Sequence, residues 1–269
     1  METDKTFPEN QIKVKVPKLL FPIIVGLSLI TGTLFTWQLL SKEENSHIER
    51  FTQLQLTSVK HEIASNLEAD ILSLLRMAKR WEKQGGTPKE AWESDATFYF
   101  KHSKVLQAVE WIDTSFHVRW IVPLEGNEAA KDIDLSKEEQ RRIALEKARD
   151  SGEITMTSSI ELVQGGKGFL VFLPIFKGNN FDGFILGVFR YQPLFDKVLE
   201  AVAPGFLITI YDRDEKIYYR EIPGSLHDEE LCMKSEVELY GIIWRLCLCP
   251  GSVQFRQMRS YIPVFLNGF

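Results

Sequence analysis

The spacing of apolar and polar positions changes twice along this chain. Leu19 to Leu40 reads LLFPIIVGLSLITGTLFTWQLL, with no charged residue in 22 positions. At 1.5 Å per residue that is about 33 Å of helix, enough to cross a hydrocarbon core of about 30 Å. From Lys42 to Gln84 there is no Pro or Gly, and apolar residues recur at Leu56, Val59, Ile63, Leu67, Ile71, Leu74, Ala78 and Trp81. Steps of three and four mark one stripe of a helix, about 65 Å long, continuing rigidly from the apolar run. Its first half is polar and reads as a stalk, and the part from Val59 on as a face packed against a domain. Past residue 104 the period shortens to two and strands take over.

Gly85-Gly86 ends the long helix, and Thr87-Pro88-Lys89-Glu90 predicts a capping box opening a second one, with Trp92, Ala96 and Tyr99 on one side. Residues 105–124 form two β-rich runs around Asp113-Thr114-Ser115, a hairpin. Ser136 to Glu139 predicts a second capping box, opening a helix that stops at Ser151-Gly152. Strands then follow over 153–163, 168–176 and 183–190. The middle one, GFLVFLPIF, carries Phe169, Val171, Leu173 and Ile175 on one face and Leu170, Phe172 and Phe176 on the other, so both faces must be covered. A short helix from Pro193 leads into strands 206–212 and 216–220 and a last pair, a second and smaller sheet. From Phe255 the chain turns apolar again.

Charge orients the apolar run. Lys13, Lys15 and Lys18 crowd its first flank, whereas Lys42 is followed by Glu43 and Glu44, which places the N-terminus in the cytoplasm and the bulk outside. The run is longer than a signal-peptide core and lacks a small-x-small exit, so a retained anchor is expected. Ser28, Gly32 and Thr36 recur at four-residue spacing, a face on which two helices can approach. A net charge of −5 without a basic face makes nucleic acid an unsuitable partner.

The three cysteines, Cys232, Cys247 and Cys249, lie late in the chain. If Tyr240-Gly241 is a hairpin turn, cross-strand partners sum to 481 and Cys232 faces Cys249 at a non-hydrogen-bonded position, whose short spacing suits a disulfide. The alternative is a set of small buried hydrophobes. Catalysis finds little support. Gly165-Gly166-Lys167-Gly168 lacks the Ser or Thr and the helix of a phosphate loop and reads as a turn. Ser46 to Arg50 reads as stalk. The histidines show no metal spacing, and no hydrolase, zincin or dinucleotide motif occurs. No enzyme activity, cofactor or metal is expected.

The words Trp92 to Ala96, AVEWIDTSFHVRWIVPLEGN, ALEKARDSGEITMTSSIELVQGGKGFLVFLPIF and DGFILGVFR together resemble the CHASE domain, over about residues 67–200. The resemblance implies an extracytoplasmic ligand sensor of the kind found on receptor histidine kinases and nucleotide cyclases, including cytokinin receptors. It implies an α+β fold: an N-terminal transmembrane helix, a long stalk helix and two PAS-like antiparallel-sheet subdomains, the membrane-distal one holding the ligand. The expected organisation is a cytoplasmic tail over 1–18, the membrane helix over 19–40, the stalk over 41–84, a membrane-distal ligand-sensing subdomain over 85–191, a membrane-proximal one over 192–250, and the start of a second membrane segment over 251–269. Carried over by position, the resemblance implies ligand contact by Asp134, by Phe172 where cytokinin receptors place a Thr, and by Gly187. Trp111 is a further candidate. A large ring at Phe172 argues for a ligand other than cytokinin.

The expectation is therefore a single-pass membrane sensor for an unknown small molecule, with a homodimer through the transmembrane and stalk helices. Two alternatives stay open: the front end of a histidine kinase or cyclase whose catalytic part is absent here, and a membrane-anchored assembly module whose pocket is filled by its own side chains.

Overall fold

A computed structural model describes residues 20–103, 105–222 and 231–252. The tail over 1–18 and, apart from positions 251 and 252, the 251–269 stretch lie outside the described residues. The chain divides into two compact units, one up to His47 and one from Ile48 on. Each is described by itself.

The first unit is the start of helix α1 (Leu20–Gln84). Its large apolar side chains face no protein, with Phe21 72% and Trp37 65% exposed, and the helix is long and apolar enough to cross a membrane. Ser28, Thr31, Thr33 and Thr36 return their hydroxyls to carbonyls one turn back, which satisfies these four donors within the helix.

In the second unit α1 presents the stripe foreseen from its periodicity. Leu56, Val59, Ile63, Leu67, Ile71, Leu74, Ala78 and Trp81 are all buried. The helix ends where Gly86 donates to the Trp81 carbonyl, with Gly85 and Gly86 both at positive φ. Helix α2 (Lys89–His102) follows, but the capping box at Thr87 does not form. Pro88, in an extended conformation, takes the N-cap position and no side chain caps there.

Six strands make the larger sheet: β1 (Leu106–Ile112), β2 (Val118–Val122), β3 (Thr155–Met156), β4 (Ile160–Glu161), β5 (Lys167–Lys177) and β6 (Asn180–Arg190), in the order β2-β1-β6-β5-β3 with β4 also on β5, every pairing antiparallel. The single strand expected over 153–163 is broken into β3 and β4, because the Ser159 N–H leaves the ladder to donate to Asp212 Oδ2 at 2.6 Å. Between β2 and β3 lie two 3-10 turns, Glu128–Ala130 and Leu135–Lys137, and helix α3 (Glu139–Ser151). The box at Ser136 is replaced by a later cap. Glu138 accepts from the N–H groups of Gln140 and Arg141, while Asp134 holds the backbone and hydroxyl of Ser136. Helix α3 ends at Gly152 in the left-handed conformation.

Helix α4 (Tyr191–Val202) leads to the smaller sheet of β7 (Phe206–Asp212), β8 (Glu215–Arg220), β9 (Met233–Leu239) and β10 (Ile242–Pro250), ordered β8-β7-β10-β9. Tyr240 and Gly241, both at positive φ, turn β9 into β10 in the register that places Met233 opposite Leu248. One step further, Cys232 and Cys249 are joined by a disulfide with a 2.06 Å S–S bond.

Strand β5 splits the core in two. Phe169, Val171, Leu173 and Ile175 join the α1 stripe, the inner face of the smaller sheet and α4 in one hydrophobic cluster. Leu170 and Phe172 join Ala108, Ile112, Phe184, Leu186, Val188 and the α3 residues Ala144, Leu145 and Ala148 in another. Trp244 ties the two sheets together, its ring 5.4 Å from Phe169 and 5.5 Å from Phe195.

Candidate functional site

The face of the larger sheet turned away from α1 is roofed by α3, by the segment around Ala130 to Leu135 and by the turn after β4. Beneath that roof a cavity of about 20 Å³ is lined by Glu110, Ala130, Ile133, Leu135, Arg141, Leu162, Val163, Gln164, Leu170, Leu186 and Val188. Such a space holds about one water. Its lining is aliphatic except for three side chains, and those converge.

Glu110 is placed by strand alternation. Ala108 and Ile112 on either side of it belong to the same inner cluster, so the carboxyl enters with them and is only 2% exposed. Gln164 Nε2 donates to Glu110 Oε1 at 3.4 Å, a long contact. Burial pushes the Glu110 carboxyl up to about 8, against the opposing pull of the Arg141 guanidinium. Arg141 stands in the first turn of α3. Its Nη2 donates to the Glu161 carbonyl at 3.0 Å, while its Nε, 3.6 Å from Glu138 Oε2, is buried without a hydrogen-bond partner. On its other side Arg141 lines an open groove of about 300 Å³ with Glu138, Gln140, Ser159, Ile160, Glu161, Lys167 and Glu215. One guanidinium thus separates groove from cavity. Gln164 belongs to a tight turn in which Gly165 donates to the Leu162 carbonyl and Arg190 holds the Gln164 carbonyl. Gly165 and Gly166 take positive φ and face open space.

The residues named from sequence do not share one surface. Trp111 lies on the α1 side, its ring 5.1 Å from Trp81 and 4.6 Å from Trp120 in a cluster that includes Trp92. Gly187 is also on the α1 side, where a Cβ would come within 2.6 Å of Leu74 Cδ1. Phe172 is on the roofed side, fully buried and edge-on to Phe184, but outside the cavity lining. Asp134 is at the surface, where hydrogen bonds from Ser136 hold its carboxyl below the usual range. Glu110, Arg141 and Gln164 were not singled out from sequence. A single carboxylate inside the β-rich run Val105 to Ile112, flanked on its own face by Ala108 and Ile112, is the signal that could have found the first. Nothing in the sequence places Arg141 or Gln164 beside it.

A larger concavity, about 790 Å³, lies over the outer face of the smaller sheet and is bordered by Cys232, Lys234, Arg245, Cys247 and Cys249. It is an open sheet surface whose charged residues, Lys234, Glu236 and Arg245, are exposed. The cavity beneath α3, which holds a buried carboxyl, is the better candidate.

A long helix laid along two antiparallel sheets is a fold this chain shares with solved ligand-binding domains of receptors. The solved structures with this fold include an extracellular ligand binding receptor from Desulfohalobium retbaense (16% identity, TM-score 0.61), of which the match covers 74% of this chain and 40% of that one. They also include the ligand-binding domain of the Pseudomonas aeruginosa amino acid chemoreceptor PctC with GABA (12%, TM-score 0.56, 75% and 99%) and that of the Pseudomonas fluorescens chemoreceptor CtaA with L-serine (12%, TM-score 0.56, 79% and 99%). This chain thus spans less than half of the Desulfohalobium receptor. Its sequence matches no curated protein. Residues 75–218 match the CHASE domain, and the chain belongs to the CHASE family.

Proposed function

We propose that this chain is the single-pass, membrane-anchored front end of a signalling receptor, with residues 1–18 in the cytoplasm and the part after residue 40 outside. Its ligand is a small molecule held in the 85–191 half, between the inner faces of β1, β5 and β6 and the roof of α3. The carrying observation is the convergence of Glu110, Arg141 and Gln164 on one roofed cavity in an otherwise aliphatic surface. The lysines before the apolar run support the orientation.

The ligand acts by binding one arrangement of the Gln164 turn and Arg141 more tightly than another, since only differential affinity shifts an equilibrium. The sheet under the cavity is the sheet on which α1 packs. Leu186 faces the ligand side and Gly187, the next residue, faces Leu74 of α1. A shift of β6 therefore reaches α1, the helix that also carries the apolar run. A homodimer through α1 belongs to the same reading and is supported by the small-residue face at Ser28, Gly32 and Thr36, where Gly32 has nothing within 4 Å.

The test is thermal unfolding of the full chain in nanodiscs against a mixed metabolite panel. A ligand at a hundred times its Kd adds about 2.7 kcal/mol, and Leu186→Trp, which fills the cavity, abolishes the shift. Protease added to intact cells should trim the chain after residue 40, and protection there would refute the orientation. One observation favours the alternative of a non-sensing assembly module, namely that Phe172 is fully buried and the cavity is only about 20 Å³. A panel without any ligand sensitive to Leu186→Trp would establish that alternative instead.

A further inference from the structure

We propose, resting on the sensor reading above, that the ligand of this cavity is a small amphoteric molecule, with a basic nitrogen that pairs with Glu110 and an anionic end that pairs with Arg141, joined by a short aliphatic body. Four observations meet here. Glu110 is 2% exposed, and among the described residues its side chain is met by the 3.4 Å contact from Gln164, so a carboxyl sits in an aliphatic lining with one weak donor. A carboxamide N–H already occupies the place a ligand N–H would take. Arg141 reaches the same cavity with a buried Nε that makes no hydrogen bond, although Glu138 Oε2 stands 3.6 Å from it as an ion-pair partner. The remaining lining is aliphatic.

Charge balance selects among ligand classes. A simple cation would satisfy Glu110 but meet the Arg141 guanidinium at short range. A simple anion would pair with Arg141 but leave the Glu110 carboxyl with the one weak Gln164 contact. A molecule carrying both gives the Glu110 carboxyl and the Arg141 Nε each a hydrogen-bond partner, which burial otherwise makes costly to leave out. Entry is through the groove of about 300 Å³ on the far side of Arg141, since that side chain lines both spaces. The cavity has room for about one water, so the ligand displaces the Gln164 side chain, and the turn with Gly165 and Gly166 in open space can give way.

A pH signature follows. Burial holds free Glu110 at about 8, and binding to a basic nitrogen requires the ionised form, so below that value binding releases a proton. Affinity should rise about tenfold per pH unit from pH 6 toward 8 and then level off.

The experiment uses the full chain in nanodiscs with ω-amino acids of two to six carbons and the matched n-alkylamines and n-alkanoates. Thermal unfolding and tryptophan fluorescence at pH 6 and pH 8.5 read binding. The expected result is that one or more ω-amino acids stabilise the protein, at least tenfold more tightly at pH 8.5, while the matched amine and acid bind at least tenfold more weakly. Glu110→Gln and Arg141→Gln should each lose the effect, and circular dichroism should show both variants folded. Equal binding by an amine or an alkanoate, or full binding to Glu110→Gln, overturns the inference. Should the ω-amino acids fail while a panel compound binds and is blocked by Leu186→Trp, the amphoteric class is wrong and the sensor reading stands. Should no compound depend on Leu186, the sensor reading itself fails.

Discussion

Replacing Glu110 by Gln isolates the energetic weight of the buried carboxyl. Its ordinary value of 4.5 in the unfolded chain rises to about 8 in the fold because burial disfavours the charged form more than Arg141 favours it. A carboxyl whose folded value lies above its unfolded one contributes its full stability below about 4.5 and loses it as pH rises through about 8. At about 1.36 kcal/mol per pH unit that interval amounts to at most about 5 kcal/mol. Glutamine keeps the shape and has no proton to lose. Wild type and Glu110→Gln should therefore unfold alike near pH 4.5, and the variant should become the more stable one progressively up to pH 8.5. At roughly 2–4 °C per kcal/mol for a unit of this size, the gap should reach on the order of 10–20 °C. The assay is urea or thermal unfolding of both proteins across this range, followed by tryptophan fluorescence. The difference between the two curves removes the contribution of Asp70 and Asp212, whose carboxyls burial also raises. Parallel curves would show that Glu110 is hydrated or ion-paired in solution and would refute the electrostatics of the cavity.

Three further outcomes are expected. Gly187→Ala drives a methyl to within 2.6 Å of Leu74 Cδ1 and 2.7 Å of Phe189 Cε2. It should cost about 1–3 kcal/mol, with part of the loss recovered when Leu74→Ala is added; additive losses would disprove the contact. Phe172→Ala, in a fully buried position against Phe184, should cost about 3–5 kcal/mol, whereas a small change in unfolding free energy would mark it as a ligand-facing side chain. Cys232→Ser opens the bridge to Cys249, which closes a separation of 17 residues, and should cost about 3 kcal/mol. Alkylation of wild type under denaturing conditions should label two more thiols after reduction than before, and equal labelling would show that the bridge does not form.

What could be read from the chain is what short-range physics dictates. The charge-free run from Leu19 to Leu40, the stripe from Leu56 to Trp81, the glycine stop at Gly85-Gly86 and the two apolar faces of Phe169 to Phe176 each follow from period, length or a local backbone demand. The β9–β10 register followed from a two-residue turn, because a hairpin's pairing is set by the residues that close it. Local rules failed where a distant partner took over or where neighbouring backbone offered a different cap. Strand 153–163 breaks because Asp212 takes the N–H of Ser159, and the capping boxes at Thr87 and Ser136 yield to extended backbone at Pro88 and Glu138.

The candidate site was decided by tertiary structure. Alternation makes neighbours on a strand face opposite ways, so Trp111 and Gly187 go to α1 while Glu110 and Leu186 go to the cavity, and nothing in the run VLQAVEWI says which face will be roofed. That choice is made by α1 on one side and α3 on the other. Only their packing brings Arg141, 31 positions further along, and Gln164, 54 positions from Glu110, to one carboxylate.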